Sequence, residues 1–176
     1  MRLKYILPLL TLMLSSIAFV SCGDDVETEP VITPEQVALN EQTVGIYTGW
    51  TNLEAAMFPN GKNYPNNTIN VELAEDGTLT IIYVNGTWGT ATITGINAST
   101  IKEGEGYILS GGEGSFVMKT QNGDSTQEFG CNLDNATISA DKNEMTAVII
   151  ANMTVMGGHG EMTFTFHTGE MPTAEE

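Results

Sequence analysis

Beyond Val44 the chain alternates apolar and polar residues in short runs separated by Gly, Asn and Asp, the pattern of strands buried on one face. Ile69, Val71 and Leu73 alternate with Thr68, Asn70 and Glu72, and Glu75, Asp76 and Gly77 turn the chain into Leu79, Ile81 and Tyr83. Asn85 and Gly86 make the next turn. Val44 to Thr51 reads as a first strand and Trp88 to Thr94 as the one after the Asn-Gly turn. Tyr107 to Ser110, Ser115 to Lys119 and Gln127 to Leu133 follow, the last two joined across Gln121 to Ser125, with Ala136 and Ile138 extending or replacing the third. Met145 to Met153 is apolar on nearly both faces, and Met162, Phe164 and Phe166 alternate with Glu161, Thr163, Thr165 and His167. Eight or nine short strands predict an all-β domain over residues 44–169, built as a single up-and-down antiparallel β-barrel of about eight strands or as a sandwich. Sequential connections favour the barrel, which leaves no exposed edge.

Two segments depart from the alternation. Asn52 to Asn67 carries Leu53, Met57, Phe58 and Tyr64 among Pro, Gly and Asn, and reads as a long loop of the kind that forms lids and binding loops. Gly23 to Thr43 holds six acids, two prolines and no base, the composition of a solvated tether. Within it Thr33, Pro34, Glu35 and Gln36 form a capping-box pattern, so that a turn or two of helix to about Asn40 competes with a plain tether. Residues 170–176 read as a tail.

The first 21 residues have another order. Arg2 and Lys4 precede an apolar run from Tyr5 to Leu14, then Ser15, Ser16, Ile17 and Ala18, as in a secretory signal. The run is too short for a membrane span of roughly 20 residues. Phe19, Val20, Ser21 and Cys22 resemble the lipobox of bacterial lipoproteins. That resemblance implies cleavage before Cys22, its acylation, and attachment to membrane lipid through several chains, which anchor where one binds only marginally. Gly23, Asp24, Asp25, Val26 and Glu27 resemble the acidic surface-export signal of Bacteroidetes lipoproteins, which implies the outer leaflet of an outer membrane and exposure at the cell surface.

A second resemblance covers nearly all of residues 44–169. Gly45-Ile46-Tyr47-Thr48-Gly49-Trp50, Thr87-Trp88-Gly89-Thr90-Ala91-Thr92-Ile93 and the closing strand Thr163 to Gly169 resemble the calycin-like β-barrel domain of Bacteroidetes lipoproteins. The likeness to true lipocalins is weaker: Tyr47 stands where their first-strand tryptophan does, and the arginine that packs on that tryptophan is missing.

Charge changes the picture next. The chain has 22 acids against six bases, a formal net charge of −16. Removing residues 1–21 takes away two bases, Arg2 and Lys4, and no acid, which gives −18 and leaves no arginine. A nucleic-acid partner is excluded, and so are guanidinium clamps on anionic ligands. The remaining ligand classes are small and neutral: apolar or carbohydrate.

Catalytic and metal chemistry find little support. His159 and His167 are the only histidines, and no Gly-x-Ser-x-Gly elbow accompanies them, so the reading is of a non-enzyme. Met153, Met156, His159 and Met162 around a Gly-rich turn have the soft donors Cu(I) prefers, but the favoured reading is of core-filling methionines beside a hairpin. Glu103, Glu105 and Glu113 lack the spacing of a calcium loop. No cofactor and no metal is expected. Cys131 lies between Phe129 and Leu133 at period two and reads as a buried, inert thiol. Asp124-Ser125-Thr126 resembles the O-glycosylation motif of Bacteroidetes exported proteins.

Trp50, Phe58, Tyr83 and Trp88 are the candidate ligand contacts, although packing the core or closing a barrel end is the more common role of such rings. The functional expectation is a surface-exposed outer-membrane lipoprotein whose barrel binds a small apolar or carbohydrate ligand. The competing expectation is a structural or interaction module, such as an accessory subunit beside an outer-membrane protein partner, which the two-faced apolarity of Met145 to Met153 motivates.

Overall fold

The computed structural model describes residues 32–102, 104–119, 126–155 and 158–173. Residues 1–31, with the signal, Cys22 and the acidic export tract, lie outside the described residues, as do Glu103, Ser125 and Met156. A short helix, α1 (Pro34–Glu41), precedes nine strands: β1 (Gly45–Ala55), β2 (Phe58–Leu73), β3 (Leu79–Asn85), β4 (Gly89–Thr100), β5 (Tyr107–Ser110), β6 (Glu113–Lys119), β7 (Thr126–Ile138), β8 (Met145–Val155) and β9 (Gly158–Thr168). All pairings are antiparallel.

The sheet closes on itself, because β9 pairs with β1 and β3 with β4. β5 and β6 lie end to end between β4 and β7. They form one stave interrupted at Gly111 and Gly112, whose φ angles of 77° and 90° suit glycine. The register runs unbroken across this gap: Asn97 pairs with Ser110 and Thr94 with Glu113 on one side, Leu109 with Ala136 and Glu113 with Asn132 on the other. The result is an eight-stave up-and-down barrel. It is not a sandwich, and closure removes the edges that such Thr- and Ile-rich strands would otherwise expose.

The period-two pattern accounts for the core. Leu79, Ile81 and Tyr83 point inward from β3, Met145, Ala147, Ile149, Ala151 and Met153 from β8, and Met162, Phe164 and Phe166 from β9. Large side chains fill the interior. Phe116 stacks on Phe164 with ring centroids 5.1 Å apart, and Tyr83 leans on Phe164 at 5.7 Å. Tyr83, Phe116, Phe164 and Phe166 are completely buried.

α1 starts as its sequence predicts: the Thr33 hydroxyl accepts from the Gln36 backbone N–H at 3.2 Å, and Pro34 occupies the first turn. The helix does not trail from the barrel. It packs against the barrel end where β1 begins, here the base, through a buried Asn40 and through Gln36 Nε2, which donates to the Ala98 carbonyl at 2.8 Å. The opposite end, with the β1–β2 and β3–β4 turns, is the rim.

The expected long loop at Asn52 to Asn67 is instead regular hairpin. β1 continues to Ala55, the chain reverses at Ala56 and Met57, and β2 begins at Phe58. Two irregularities in the pairing put extra residues into β2, at Pro65–Asn66 and again nearer the turn, and these break the alternation that would have revealed the strand. Pro65 is accommodated because a bulge does not require its missing N–H.

Candidate functional site

The four aromatic candidates do not converge on one cavity. Tyr83 lies inside the barrel as part of its packing. Its hydroxyl donates to Thr51 Oγ1 and accepts from Asn85 Nδ2, both at 3.0 Å, while Asn85 Oδ1 accepts from the backbone N–H groups of Thr87 and Trp88, also at 3.0 Å. A buried polar chain thus runs from the core to the β3–β4 turn. It fixes the turn that carries Trp88.

Phe58 and Trp88 do meet. With Tyr64 they form an edge-to-face cluster at the rim, at 6.2 Å from Phe58 to Trp88 and 6.1 Å from Tyr64 to Trp88. The Lys62 ammonium lies 5.4 Å and 5.5 Å from the centroids of Phe58 and Tyr64. The indole Nε1 of Trp88 and Asn67 Oδ1 are buried without a protein hydrogen-bond partner, whereas Asn67 Nδ2 donates to the Tyr64 carbonyl. Tyr64 and Lys62 were not singled out by the sequence as site residues, because the bulged β2 hid which positions face together. Tyr64 belongs to the buried core, and Phe58 and Trp88 pack against it partly buried.

Trp50 is elsewhere, on the outer wall. Its cross-strand partner is His167, and the two rings stack with centroids 4.6 Å apart and planes 25° from parallel. The phase of β9 predicts an exposed His167; it does face outward, but Trp50 covers one side and leaves it half-buried. A groove of about 400 Å³ borders Trp50, lined also by Thr48, Pro65, Asn66, Glu170 and Met171. It falls within the roughly 300–1,000 Å³ typical of small-ligand sites. A second groove, of about 440 Å³ and lined by Asn143, Thr146 and His167, lies on the other side of the stacked pair.

No group of three His, Cys, Asp or Glu positioned to hold a metal occurs among the described residues. Met153 and Met162 point into the core. Cys131 is buried, and desolvation pushes its thiol up to about 11. Burial likewise pushes the Tyr83 phenol up to about 12, against the opposing effect of its bonds to Thr51 and Asn85.

These two shifts predict alkaline sensitivity. Both groups are neutral when protonated and ionise later in the fold than in the unfolded chain. Their contribution is therefore fully present below about pH 9 and lost as pH rises through 11 and 12. A rise from 10 to about 12 for Tyr83 corresponds to about 2–3 kcal/mol. Urea titrations between pH 8 and pH 11 should show falling stability, with a shallower fall in Cys131→Ala; equal slopes in the two proteins would contradict the assignment to Cys131.

No family model, no curated protein and no solved structure matches this chain. The closed eight-stave barrel agrees with the architecture that the calycin-like resemblance implied, and the fold and its surface carry the functional argument.

Proposed function

We propose that the protein is an outer-membrane lipoprotein of the Bacteroidetes type, held by acylated Cys22 at the cell surface, whose barrel is a non-catalytic module that binds a small apolar or carbohydrate ligand on its outside. One observation carries the ligand part: the interior is filled by Tyr83, Phe116, Phe164 and Phe166, while a groove of ligand size stands open beside Trp50 on the outer wall. Barrels of eight staves either pack their interior or enclose a ligand, and this one packs. The lipobox resemblance at Phe19 to Cys22 and the acidic tract after it support the address.

Metabolic labelling with an alkyne fatty acid tests the anchor. Cells expressing the wild type are expected to give a labelled protein that protease removes from intact cells, and Cys22→Ala an unlabelled, soluble one. Label retained in Cys22→Ala would remove the lipoprotein assignment.

The second reading, an interaction module within an outer-membrane assembly, is favoured by the outward apolar side chains of β1 and β3. Ile46 is 70% exposed and Val84 43%. Crosslinking in cells from positions 46 and 84 separates it from the first reading: a single captured outer-membrane protein supports it, and a monomer throughout counts against it.

A further inference from the structure

We infer that the Trp50 groove is a subsite for one neutral pyranose ring, with the indole as its stacking platform. The inference rests on the ligand-binding reading above and gives it a place and a chemistry.

Four features of the fold converge there. Trp50 is aromatic and turned outward, on a wall otherwise dominated by Thr, Asn and Glu. Its ring is stacked against His167, which holds it in orientation, and Trp50 lines the groove while His167 does not. The buttress depends on close approach of β1 to β9: a Cβ at Gly49 would stand 1.9 Å from the His167 carbonyl oxygen, so only glycine fits beside Trp50. Finally, the opposite wall is the β2 bulge itself. Pro65 and Asn66 of β2 together stand opposite the single residue Trp50 in the Gly49–Thr51 step, and Asn66 takes a left-handed φ of 58°, which asparagine tolerates better than most residues. Bulges re-aim side chains, and this one sets Asn66 along the groove.

The lining also has the right polarity. Asn66 offers amide donors and an acceptor, Thr48 a hydroxyl and Glu170 a carboxylate that accepts from hydroxyl groups. Glu170 is brought there by the Gly169 backbone N–H, which donates to the Thr48 carbonyl at 3.2 Å. An aromatic face is electron-rich and attracts the partly positive C–H groups of a sugar ring, while the ring's equatorial hydroxyls project sideways to such a polar rim. No cation lines the groove. An anionic sugar or a nucleotide phosphate would face Glu170 without compensation, so the subsite selects neutral rings.

The protein has two tryptophans, which makes the test direct. The mature lipoprotein is kept in a zwitterionic detergent without a sugar head group. Trp88→Phe leaves Trp50 as the only indole, and Trp50→Phe leaves Trp88. Both are titrated with methyl glycosides of glucose, galactose, mannose and N-acetylglucosamine, with their linear tetrasaccharides, and with glucuronate. At least one neutral glycan is expected to change the emission of the Trp50-only protein saturably, with no response from the Trp88-only protein and none to glucuronate. Calorimetry on the otherwise unaltered chain should show that Trp50→Ala weakens this glycan about tenfold. Asn66→Gly keeps the backbone angle without strain while removing the amide, and should weaken it severalfold with unfolding unchanged.

Neutral glycan binding that is undiminished in Trp50→Ala overturns the subsite and leaves the ligand-binding reading in place. The same holds if no glycan binds but a fluorescent apolar probe is captured by the wild type. If neither glycan nor apolar probe binds, the ligand-binding reading falls together with the subsite.

Discussion

Phe164→Ala is expected to cost about 3–5 kcal/mol, the largest loss from a single substitution in this chain, and to lower the urea midpoint by roughly 2 M. Phe164 is the central ring of the barrel, stacked on Phe116 at 5.1 Å and in contact with Tyr83 at 5.7 Å. On either side of it in the sheet, Leu53 and Ile149 are its register partners and are completely buried. Removing the ring deletes transfer free energy and leaves a cavity. A helical core can relax toward such a hole, but here each stave is hydrogen-bonded on both sides in a closed cylinder, which resists collapse and places the cost toward the top of the range. Phe164→Leu should cost much less, about 1–2 kcal/mol, because most of the volume remains. Trp50→Ala should cost under about 1 kcal/mol, since Trp50 lies on the outer wall. The three substitutions thus separate a structural aromatic from a surface one. A loss below about 1 kcal/mol for Phe164→Ala would mean the interior is not packed as described.

The strand pattern was readable wherever a strand keeps strict alternation. Leu79, Ile81 and Tyr83 or Met162, Phe164 and Phe166 announce both their strand and their inward face, because burial on one side leaves no freedom in phase. β2 was not readable in its first half, where the bulge at Pro65–Asn66 shifts the phase and the Pro, Gly and Asn that make bulges possible are the same residues that mark loops. β7 was read in two pieces for the same reason: Asp134 is an extra residue between Leu133 and Asn135, and alternation resumes only at Ala136.

The site was legible in type and not in place. An aromatic set was visible in the sequence, yet period two alone cannot tell which aromatic faces the axis when a bulge or a turn lies nearby. Tyr83 proved to be core, Phe58 and Trp88 the rim, and Trp50 the outer wall. His167 carried a phase signal for the outer face, but its partner Trp50 is 117 residues away, and the two meet through the register of the first and last strands only once the barrel closes. Closure is a property of all eight staves together, and no local pattern encodes it.

Asn40→Ala is the second large expectation, about 2–4 kcal/mol, and it concerns how the helix is held to the barrel. Asn40 is completely buried on α1, with a full set of partners. Its Nδ2 donates to the Gly77 carbonyl at 2.8 Å and to Asn97 Oδ1 at 3.2 Å, and its Oδ1 accepts from the Ala98 backbone N–H at 2.8 Å and from Gln36 Nε2 at 3.0 Å. One amide therefore joins the helix to the β2–β3 turn and to the end of β4. It supplies what these strand ends lack, since β4 at Ala98 has no other stave to receive that N–H on its helix side. Truncation strands the Ala98 N–H and the Gly77 carbonyl in a buried setting, and each costs about 1–3 kcal/mol unless water reaches it. The cheapest relaxation is for α1 to lift away. Hydrogen exchange should then accelerate at Ala98 and along α1 while the amides of β8 and β9 keep their protection in proportion to the remaining global stability. Asn40→Asp sharpens the test. It keeps the acceptor for Ala98 but sets a buried carboxylate against the Gly77 carbonyl and Asn97 Oδ1, so its destabilisation should be greatest near neutral pH and ease as acid protonates the new group. Uniform acceleration of exchange in every strand, with no preference for the base, would show instead that α1 and the barrel unfold only as one unit.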